Sequence, residues 1–390
     1  MIELRGVTWN HPRGWGGLRA TAEAFVRIRP DVRVKWTERS LQAFADQPVG
    51  ELAAYDLIVI DHPSIGGSVA RSALVPLDEH LGADVLADQQ RASVGRSYES
   101  YRWGGHQWAL PVDASAQVAV WRPDLLDGAG LAPPQTWSDA GHLADALREQ
   151  DLFLAMPAIP VDAICSFLAA CEALGGDPLA GDRRVVDRPV GRTVLEMLAS
   201  MIGRAHPESL AWDPPGLMMH MAEHDDVAYC PLAFGYVTHA RLGFARRPLR
   251  FGPGPSGGGG PAVGTLGGAG LAVSSRSAHV DESCAYAAFV TSGDVQRTTY
   301  VDGGGQPGHR SAWTDPAVNA AAGGFFAGTL RAIETAYLRP RYDGFIGFQS
   351  LAGDVIHRWF REGGNPNDVL DLLDARFRES LRARATGVDR

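Results

Sequence analysis

The chain has 390 residues, 45% of them hydrophobic, and a formal net charge of -9. A chain of this length exceeds one ordinary hydrophobic core, so the sequence predicts a globular protein with two lobes. The acidic balance disfavours a nucleic-acid or membrane-surface binder, which would need a basic field. The sequence also has no run of about 18 apolar residues, the length that a membrane-spanning helix requires.

The cysteines do not form a recognisable metal or redox motif. None belongs to a CxxC pair, and no histidine accompanies them at ligand spacing, so we expect no metal site and no cofactor. Cys165 and Cys171 lie in an apolar helical segment and are typical of buried core thiols. A disulfide cannot be derived from the spacing of the four residues, which are Cys165, Cys171, Cys230 and Cys284.

Three predicted strands near the start of the chain each end in a polar turn. The strands are Glu3–Trp9, Val32–Trp36 and Leu57–Ile60, and the last is continuously apolar, as expected for a parallel strand buried on both faces. In an open parallel α/β sheet, such turns gather outside the carboxyl ends of the strands, where ligands bind. Ordinary solvated loops are the alternative interpretation.

The stretch His106–Leu126 contains two β-rich runs joined by a polar middle. Asp113, Ser115 and Gln117 alternate through that middle, so an extended backbone places their side chains on one side. One interpretation is two strands with a kink. The other is a crossing between domains, with these polar groups lining a cleft.

The rest of the chain contains predicted helices and a glycine-rich segment. Few of its residues indicate catalysis. Thr136 caps a predicted helix that runs to Leu147. The glycine-rich run Gly252–Gly270 lacks the pattern of a phosphate-binding loop, and a strand rather than a helix follows it. Asp61 with His62, or Asp113 with Glu334, could serve as acid and base in a hydrolase, but no nucleophile motif accompanies them.

The order of several short motifs resembles the extracellular solute-binding proteins of ABC importers, specifically the carbohydrate-type family 1. The resemblance covers most of the chain, and its motifs become specific through their order and spacing. They are LRGVTWNHPRG, DLIVIDHPS, LVPLDEHL, ALPVDASAQVAVWRPDLL, PPQTWSDA, GTLGGAGLAVS and GGGQPGHRSAW.

This resemblance implies an α/β fold with two lobes of the periplasmic-binding-protein type. Each lobe would hold a mixed, mostly parallel sheet flanked by helices. Residues 1–112 and 264–306 would form the N-terminal lobe, and residues 113–263 and 307–390 the C-terminal lobe. The chain would cross between them near 112–118, 258–264 and 305–310. It also implies a ligand held in the cleft between the lobes by hinge closure.

The family's ligand positions can be carried over residue by residue. They fall in the polar turns, at the first crossing, in the second lobe and near the end of the chain. Several, above all Arg339 and Arg341, could instead be structural groups in ion pairs. The implied ligand residues are Trp9, Asn10, His11, Arg13, Arg39, Asp61, His62, Asp113, Phe234, Tyr236, Gly267, Gly268, Arg339 and Tyr342.

The resemblance implies a protein without catalytic residues that binds a small polar solute, above all a sugar or polyol. Its expected partners are this solute and the membrane subunits of an ABC permease, and we expect a monomer. The chain begins directly at a predicted strand, with no charged start, apolar core or cleavage site before it. Two alternatives stay open, an extracytoplasmic protein whose signal was removed and a cytoplasmic protein that never had one.

Two other functions stay open beside solute capture for transport. One is an enzyme using the same cleft, and the other is an intracellular ligand sensor or scavenger on the same fold. Under the transport hypothesis, Trp9→Ala and Asp61→Ala abolish the stabilisation by ligand and change the melting temperature of the free protein little. The sequence does not rank sugars, polyols and small organic acids, because arginine and histidine in the turns also suit an anion.

Overall fold

The computed structural model describes residues 1–52, 54–257 and 260–386. The chain divides into two compact units. Unit 1 comprises Met1–Ser115, Gly267–Ala322 and Arg341–Asp343. Unit 2 comprises Ala116–Leu266, Gly323–Pro340 and Gly344–Arg390.

Both units combine strands with helices, so the α/β class predicted from the sequence is confirmed. The strands are β1 (Ile2–Trp9), β2 (Val32–Arg39), β3 (Leu57–Ile60), β4 (Arg102–Trp103), β5 (His106–Gln107), β6 (Ala109–Trp121), β7 (Phe153–Leu154), β8 (Val227–Phe234), β9 (Arg250–Gly252) and β10 (Leu266–Val273). The helices are α1 (Pro12–Ile28), α2 (Leu41–Asp46), α3 (Ile65–Ala70), α4 (Ala83–Ala92), α5 (Ser97–Ser100), α6 (Pro123–Ala129), α7 (Trp137–Arg148), α8 (Pro160–Ala173), α9 (Arg188–Arg204), α10 (Pro214–Glu223), α11 (Val280–Thr291), α12 (Gly293–Val295), α13 (Arg310–Trp313), α14 (Pro316–Ala321), α15 (Phe325–Glu334), α16 (Phe345–Glu362) and α17 (Pro366–Thr386).

The sheet of unit 1 runs in the order β2, β1, β3, β10. Strand β1 pairs in parallel with both β2 and β3, whereas β10 runs antiparallel to β3. Every residue of β3 is buried, as its unbroken apolar sequence predicts. Because β1, β2 and β3 are parallel, the polar turns that follow them meet at one edge of this sheet.

Unit 2 has its own strands and a separate helical core. Within it, the later part of β6 pairs antiparallel with β8 and with β9, and β8 pairs in parallel with β7. Helix α16 packs on α8 and on α17. The N-cap at Thr136 is present as predicted, with its hydroxyl accepting from the Asp139 backbone N–H at 3.1 Å. The Asp139 carboxylate also accepts from the Thr136 backbone N–H at 3.0 Å, which makes the cap a capping box.

The polar middle of the stretch His106–Leu126 lies inside one continuous strand. Strand β6 runs from Ala109 to Trp121, and its register with β8 shifts between Val118 and Val120. Of the two interpretations, the one with two strands and a kink is therefore wrong. The chain passes from unit 1 to unit 2 within β6, after Ser115. The side chains of Asp113, Ser115 and Gln117 are all buried.

The division of the chain differs from the predicted crossings at two places. Of the predicted crossing at 258–264, residues 258 and 259 lie outside the described residues, and the chain returns to unit 1 only after Leu266. Residues 305–310 lie wholly within unit 1, and the chain leaves that unit after Ala322. The physical reason is local hydrogen bonding, since the Ala114 backbone N–H donates to Gln306 and the Val94 N–H donates to Gly308.

Helix α1 begins at Pro12, six residues before Leu18, where helical spacing of apolar residues starts in the sequence. Its first turns carry Gly14, Gly16 and Gly17, which have no side chains to mark a periodic face. A Cβ atom at Gly16 would lie 2.1 Å from the carbonyl oxygen of Gly303, so close backbone packing requires glycine there. His11 caps the helix by accepting from the Arg13 backbone N–H at 3.1 Å.

Two further structural findings bear on expectations from the sequence. Among the helices of the described ranges, none is long and apolar enough to span a membrane. All four cysteines are buried and free, so the prediction of core thiols at Cys165 and Cys171 is confirmed.

Candidate functional site

The carboxyl ends of β1 and β2 bring two predicted ligand residues side by side in unit 1. Trp9 and Arg39 are partners in the parallel register, and the Asn10 backbone N–H donates to the Arg39 carbonyl at 2.7 Å. Asp61 follows β3 at the same edge of the sheet. The structure therefore gathers the turns after the first three strands where ligands bind in α/β proteins.

Arg13 and Asp113 form a buried ion pair within unit 1. The Arg13 Nε donates to Asp113 Oδ2 at 2.8 Å, and its Nη2 donates to the other carboxylate oxygen. The two side chains are 5% and 0% exposed. Burial raises the pKa of Asp113, and the adjacent guanidinium opposes this rise. The charges of these two predicted ligand residues therefore compensate each other within the protein.

Trp9 is a packed side chain rather than an exposed platform. It is 3% exposed, its ring centroid lies 5.0 Å from that of Phe44, and the Arg13 guanidinium lies 5.9 Å from its ring. Within the described part of the chain, its buried Nε1 has no hydrogen-bond partner. Leaving such a donor unsatisfied costs about 1–3 kcal/mol, so a polar atom supplied from outside the chain would be favoured there.

The Arg39 side chain connects neighbouring segments of unit 1 by hydrogen bonds. Its guanidinium donates to the carbonyl oxygens of Val59 at 2.8 Å and Ala43 at 3.0 Å, and to the Gln47 amide oxygen at 3.3 Å. It also lies 5.6 Å from the centre of the Phe44 ring. Much of its donor capacity is therefore committed to the protein itself.

Asp61 and His62 start a short turn and contact each other directly. The Asp61 carboxylate accepts from the His62 backbone N–H at 2.8 Å, and the His62 Nδ1 lies 3.1 Å from the same carboxylate. His62 is fully buried, with its ring edge-on to Tyr101 at 6.4 Å. This arrangement leaves Asp61, 14% exposed, as the more accessible member of the pair.

The remaining predicted residues are distributed between the two units. Gly268 and the buried Tyr342 belong to unit 1, as do Gly267 and His11. Gly268 has φ +104°, and a Cβ atom there would lie 2.5 Å from the Asp113 carbonyl oxygen, so glycine is required beside β6. In unit 2, three predicted residues are half-buried or buried, namely Phe234, Tyr236 and Arg339.

Asp162 is a candidate that the sequence interpretation missed. It lies in the first turn of α8 in unit 2, is 2% exposed, and has a buried Oδ2 with no hydrogen-bond partner in the described chain. Burial raises the pKa of this carboxyl well above its ordinary value, Asp213 adds to the rise, and Arg339 opposes it. Residues 155–159, between β7 and α8, are all apolar, so no polar turn in the sequence pointed to Asp162.

Replacing Asp162 with asparagine is expected to change how stability depends on pH. A carboxyl whose pKa is raised by folding stabilises the protein fully below its unfolded pKa of about 3.9. That contribution is lost as pH rises through the folded pKa. Asp162→Asn should therefore gain stability relative to the parent protein as pH rises from 4 to 8, measured by urea unfolding at each pH.

Asp139 provides a control of opposite sign. Its hydrogen bond with Thr136 lowers its pKa, so its contribution is present above about pH 3.9 and is lost as pH falls. Asp139→Asn should therefore lose stability relative to the parent at neutral pH. Parallel pH profiles for the parent and Asp162→Asn would contradict a raised pKa at Asp162.

Comparisons with known proteins agree with this fold. A 216-residue region is 24% identical to a probable amino-acid ABC transporter periplasmic-binding protein of Sinorhizobium fredii, and covers 53% of this chain and 48% of that protein. The chain thus spans about half the length of this curated relative.

Two solved structures match nearly the whole chain. Maltose-bound MalE3 of T. maritima superposes with a TM-score of 0.82 at 19% identity, over 97% of this chain and 100% of that one. A solute-binding protein of Agrobacterium vitis with bound D-mannitol gives a TM-score of 0.80 at 17% identity, over 98% and 99%. These structures establish the predicted periplasmic-binding fold.

The family model described as bacterial extracellular solute-binding protein matches residues 20–327. That range begins within α1 and includes most of both units and the turns that follow β2 and β3. Together with the whole-chain structural matches, it confirms the resemblance found in the sequence. The chain belongs to the bacterial extracellular solute-binding protein family.

Proposed function

We propose that the protein captures a neutral polyhydroxy solute, a sugar or polyol, and delivers it to an ABC permease without changing it chemically. The family supplies the general role of solute binding. Structural relatives whose names specify maltose and D-mannitol support the class of solute. The hinge closure, the monomeric state and the permease partner are further parts of this proposal and come from the family resemblance alone.

The partners of the predicted arginine side chains favour a neutral ligand over an anionic one. Arg13 is paired with Asp113, and Arg39 donates to backbone carbonyls and an amide within its own unit. Arg339 likewise donates to Gln349 at 2.9 Å. Hydrogen bonds to neutral groups leave the charges of Arg39 and Arg339 in place but occupy donors that an anion would use for a bidentate contact. Hydroxyl groups need only single donors and acceptors.

A thermal-shift panel tests the proposed class of solute. Maltose, D-mannitol and ribitol should include a ligand that raises the melting temperature, while glutamate, arginine and phosphate should not. A ligand present at 100 times its Kd adds about 2.7 kcal/mol to the unfolding free energy, which gives a clear shift. For D-mannitol, its mirror image L-mannitol at the same concentration is the control for nonspecific stabilisation.

The outcome also distinguishes the amino-acid class named for the S. fredii relative. A shift with amino acids and none with sugars or polyols would reject a neutral polyhydroxy ligand. It would leave solute binding itself in place, so the two parts of the proposal can fail separately.

A further inference from the structure

Two histidines and an aspartate converge in unit 2, outside the residues considered above. His206 follows α9, His220 lies in the last turn of α10, and Asp226 precedes β8. The His220 Nε2 lies 2.9 Å from Asp226 Oδ1, and the His206 Nε2 lies 3.5 Å from Asp226 Oδ2. One potential ligand atom from each residue falls within 4.8 Å of the others.

Aromatic packing holds both imidazole rings of this cluster. The Trp212 ring stacks on His206 at 4.8 Å and contacts His220 at 4.6 Å. Phe153 meets the His206 ring edge-on at 5.0 Å. The side chains of His206 and His220 are 15% and 20% exposed, so the rings are positioned by packing but remain accessible to small ions.

From this geometry we infer that His206, His220 and Asp226 bind a Zn²⁺ ion. Imidazole nitrogens and a carboxylate oxygen are common zinc ligands, with bonds of about 2.0–2.2 Å in a tetrahedral arrangement. Such bonds place neighbouring ligand atoms roughly 3.4 Å apart. Asp226 Oδ2 lies 3.1 Å from the His220 Nε2 and 3.5 Å from the His206 Nε2, and these two separations bracket this value. A water molecule would complete the fourth position.

The ordinary alternative is an ion-pair network in which Asp226 holds two histidines without metal. The His206 Nδ1 accepts from the Glu208 backbone N–H at 3.2 Å, which places the ring proton on Nε2 in the neutral, metal-free form. Zinc at Nε2 moves that proton to Nδ1 and gives up this long, exposed contact. Three direct metal bonds outweigh one such hydrogen bond, whose net value is about 0.5–1.5 kcal/mol.

A bound ion would tie together three segments of unit 2 that already meet through the polar contacts of Asp226. It would connect the end of α9, the end of α10 and the start of β8. Because a metal bound to the folded form favours that form, Zn²⁺ should also stabilise the protein. The expectation of no metal rested on the cysteines and on the histidines near them, so it did not bear on this cluster of two histidines and an aspartate.

Titration of the untagged full chain with Zn²⁺ alone tests the inference. After treatment with a chelator, calorimetry should give one Zn²⁺ per chain, and the melting temperature should rise with Zn²⁺ but not with Mg²⁺. His220→Ala and the isosteric Asp226→Asn should each weaken binding about tenfold or more. His142→Ala, which removes an exposed histidine of α7, should leave the affinity unchanged.

The following results would contradict zinc binding at this cluster. Failure of the parent protein to bind stoichiometric Zn²⁺ would leave only the ion-pair network. Equal affinity in the parent and Asp226→Asn, or an equal loss in His142→Ala, would show that surface histidines bind the ion. Asp226→Asn keeps the size of the side chain, so its zinc affinity can still test the site if His220→Ala does not fold.

Discussion

Asp113→Ala is expected to lower the unfolding free energy by about 3–5 kcal/mol. The substitution leaves the Arg13 guanidinium buried without the carboxylate to which it donates two hydrogen bonds. Removing one partner of a buried ion pair typically costs this much, because the remaining charge has lost its water and gained no counter-charge. Urea unfolding followed by tryptophan fluorescence measures the loss.

A surface ion pair of the same unit gives the matched control for Asp113. Arg19 and Glu38 are 51% and 23% exposed, so Glu38→Ala should cost no more than about 1 kcal/mol. The double variant Arg13→Met, Asp113→Leu should recover most of the lost stability by replacing both charges with apolar groups. A loss at Asp113→Ala no larger than that at Glu38→Ala would contradict a buried pair.

Trp9→Ala, made as a single variant, is expected to lower the unfolding free energy by about 3–5 kcal/mol. The ring is 3% exposed and packs on Phe44, so its removal leaves a large cavity and takes apolar surface into water. The sequence interpretation expected little change in the melting temperature of the free protein, and the observed burial of Trp9 argues against that expectation. Trp9→Phe, which keeps most of the ring contact, should lose less.

Trp15 is the matched tryptophan for this comparison. It lies in α1, is partly exposed, and is covered mainly by the Arg19 guanidinium at 4.5 Å. A cation–π contact at an exposed site is worth about 0.5–1 kcal/mol, so Trp15→Ala should have a small effect. Equal losses in Trp9→Ala and Trp15→Ala, measured by the same denaturation, would contradict the account of Trp9 as a core residue.

Local patterns predicted those elements whose sequences carry an unambiguous signal. The apolar run of β3 and the N-cap of α7 match the structure closely. Strand β6 and helix α1 were harder, for different reasons. Small and polar residues in the middle of β6 interrupt its apolar pattern, as a kink between two strands would. The first turns of α1 contain glycines that close backbone packing requires, so they show no apolar periodicity.

The candidate site was predictable only as a set of neighbouring strand ends. Parallel pairing of β1, β2 and β3 brings the turns around Trp9, Arg39 and Asp61 together, which the order of strands suggested. The partners of individual charges could not be predicted, because Arg13 and Asp113 are 100 residues apart in sequence. The raised pKa of Asp162 also depends on burial, which local sequence does not reveal.

The central claim is that the protein binds a neutral polyhydroxy solute and returns it unchanged. Equilibrium dialysis against a mixture of sugars, polyols and amino acids, read by mass spectrometry on both sides, tests binding and turnover together. The account predicts an excess of one neutral solute on the protein side, up to one molecule per chain and with its mass unchanged. No excess of any neutral solute, an excess of an amino acid, or a new mass derived from the bound solute would contradict it.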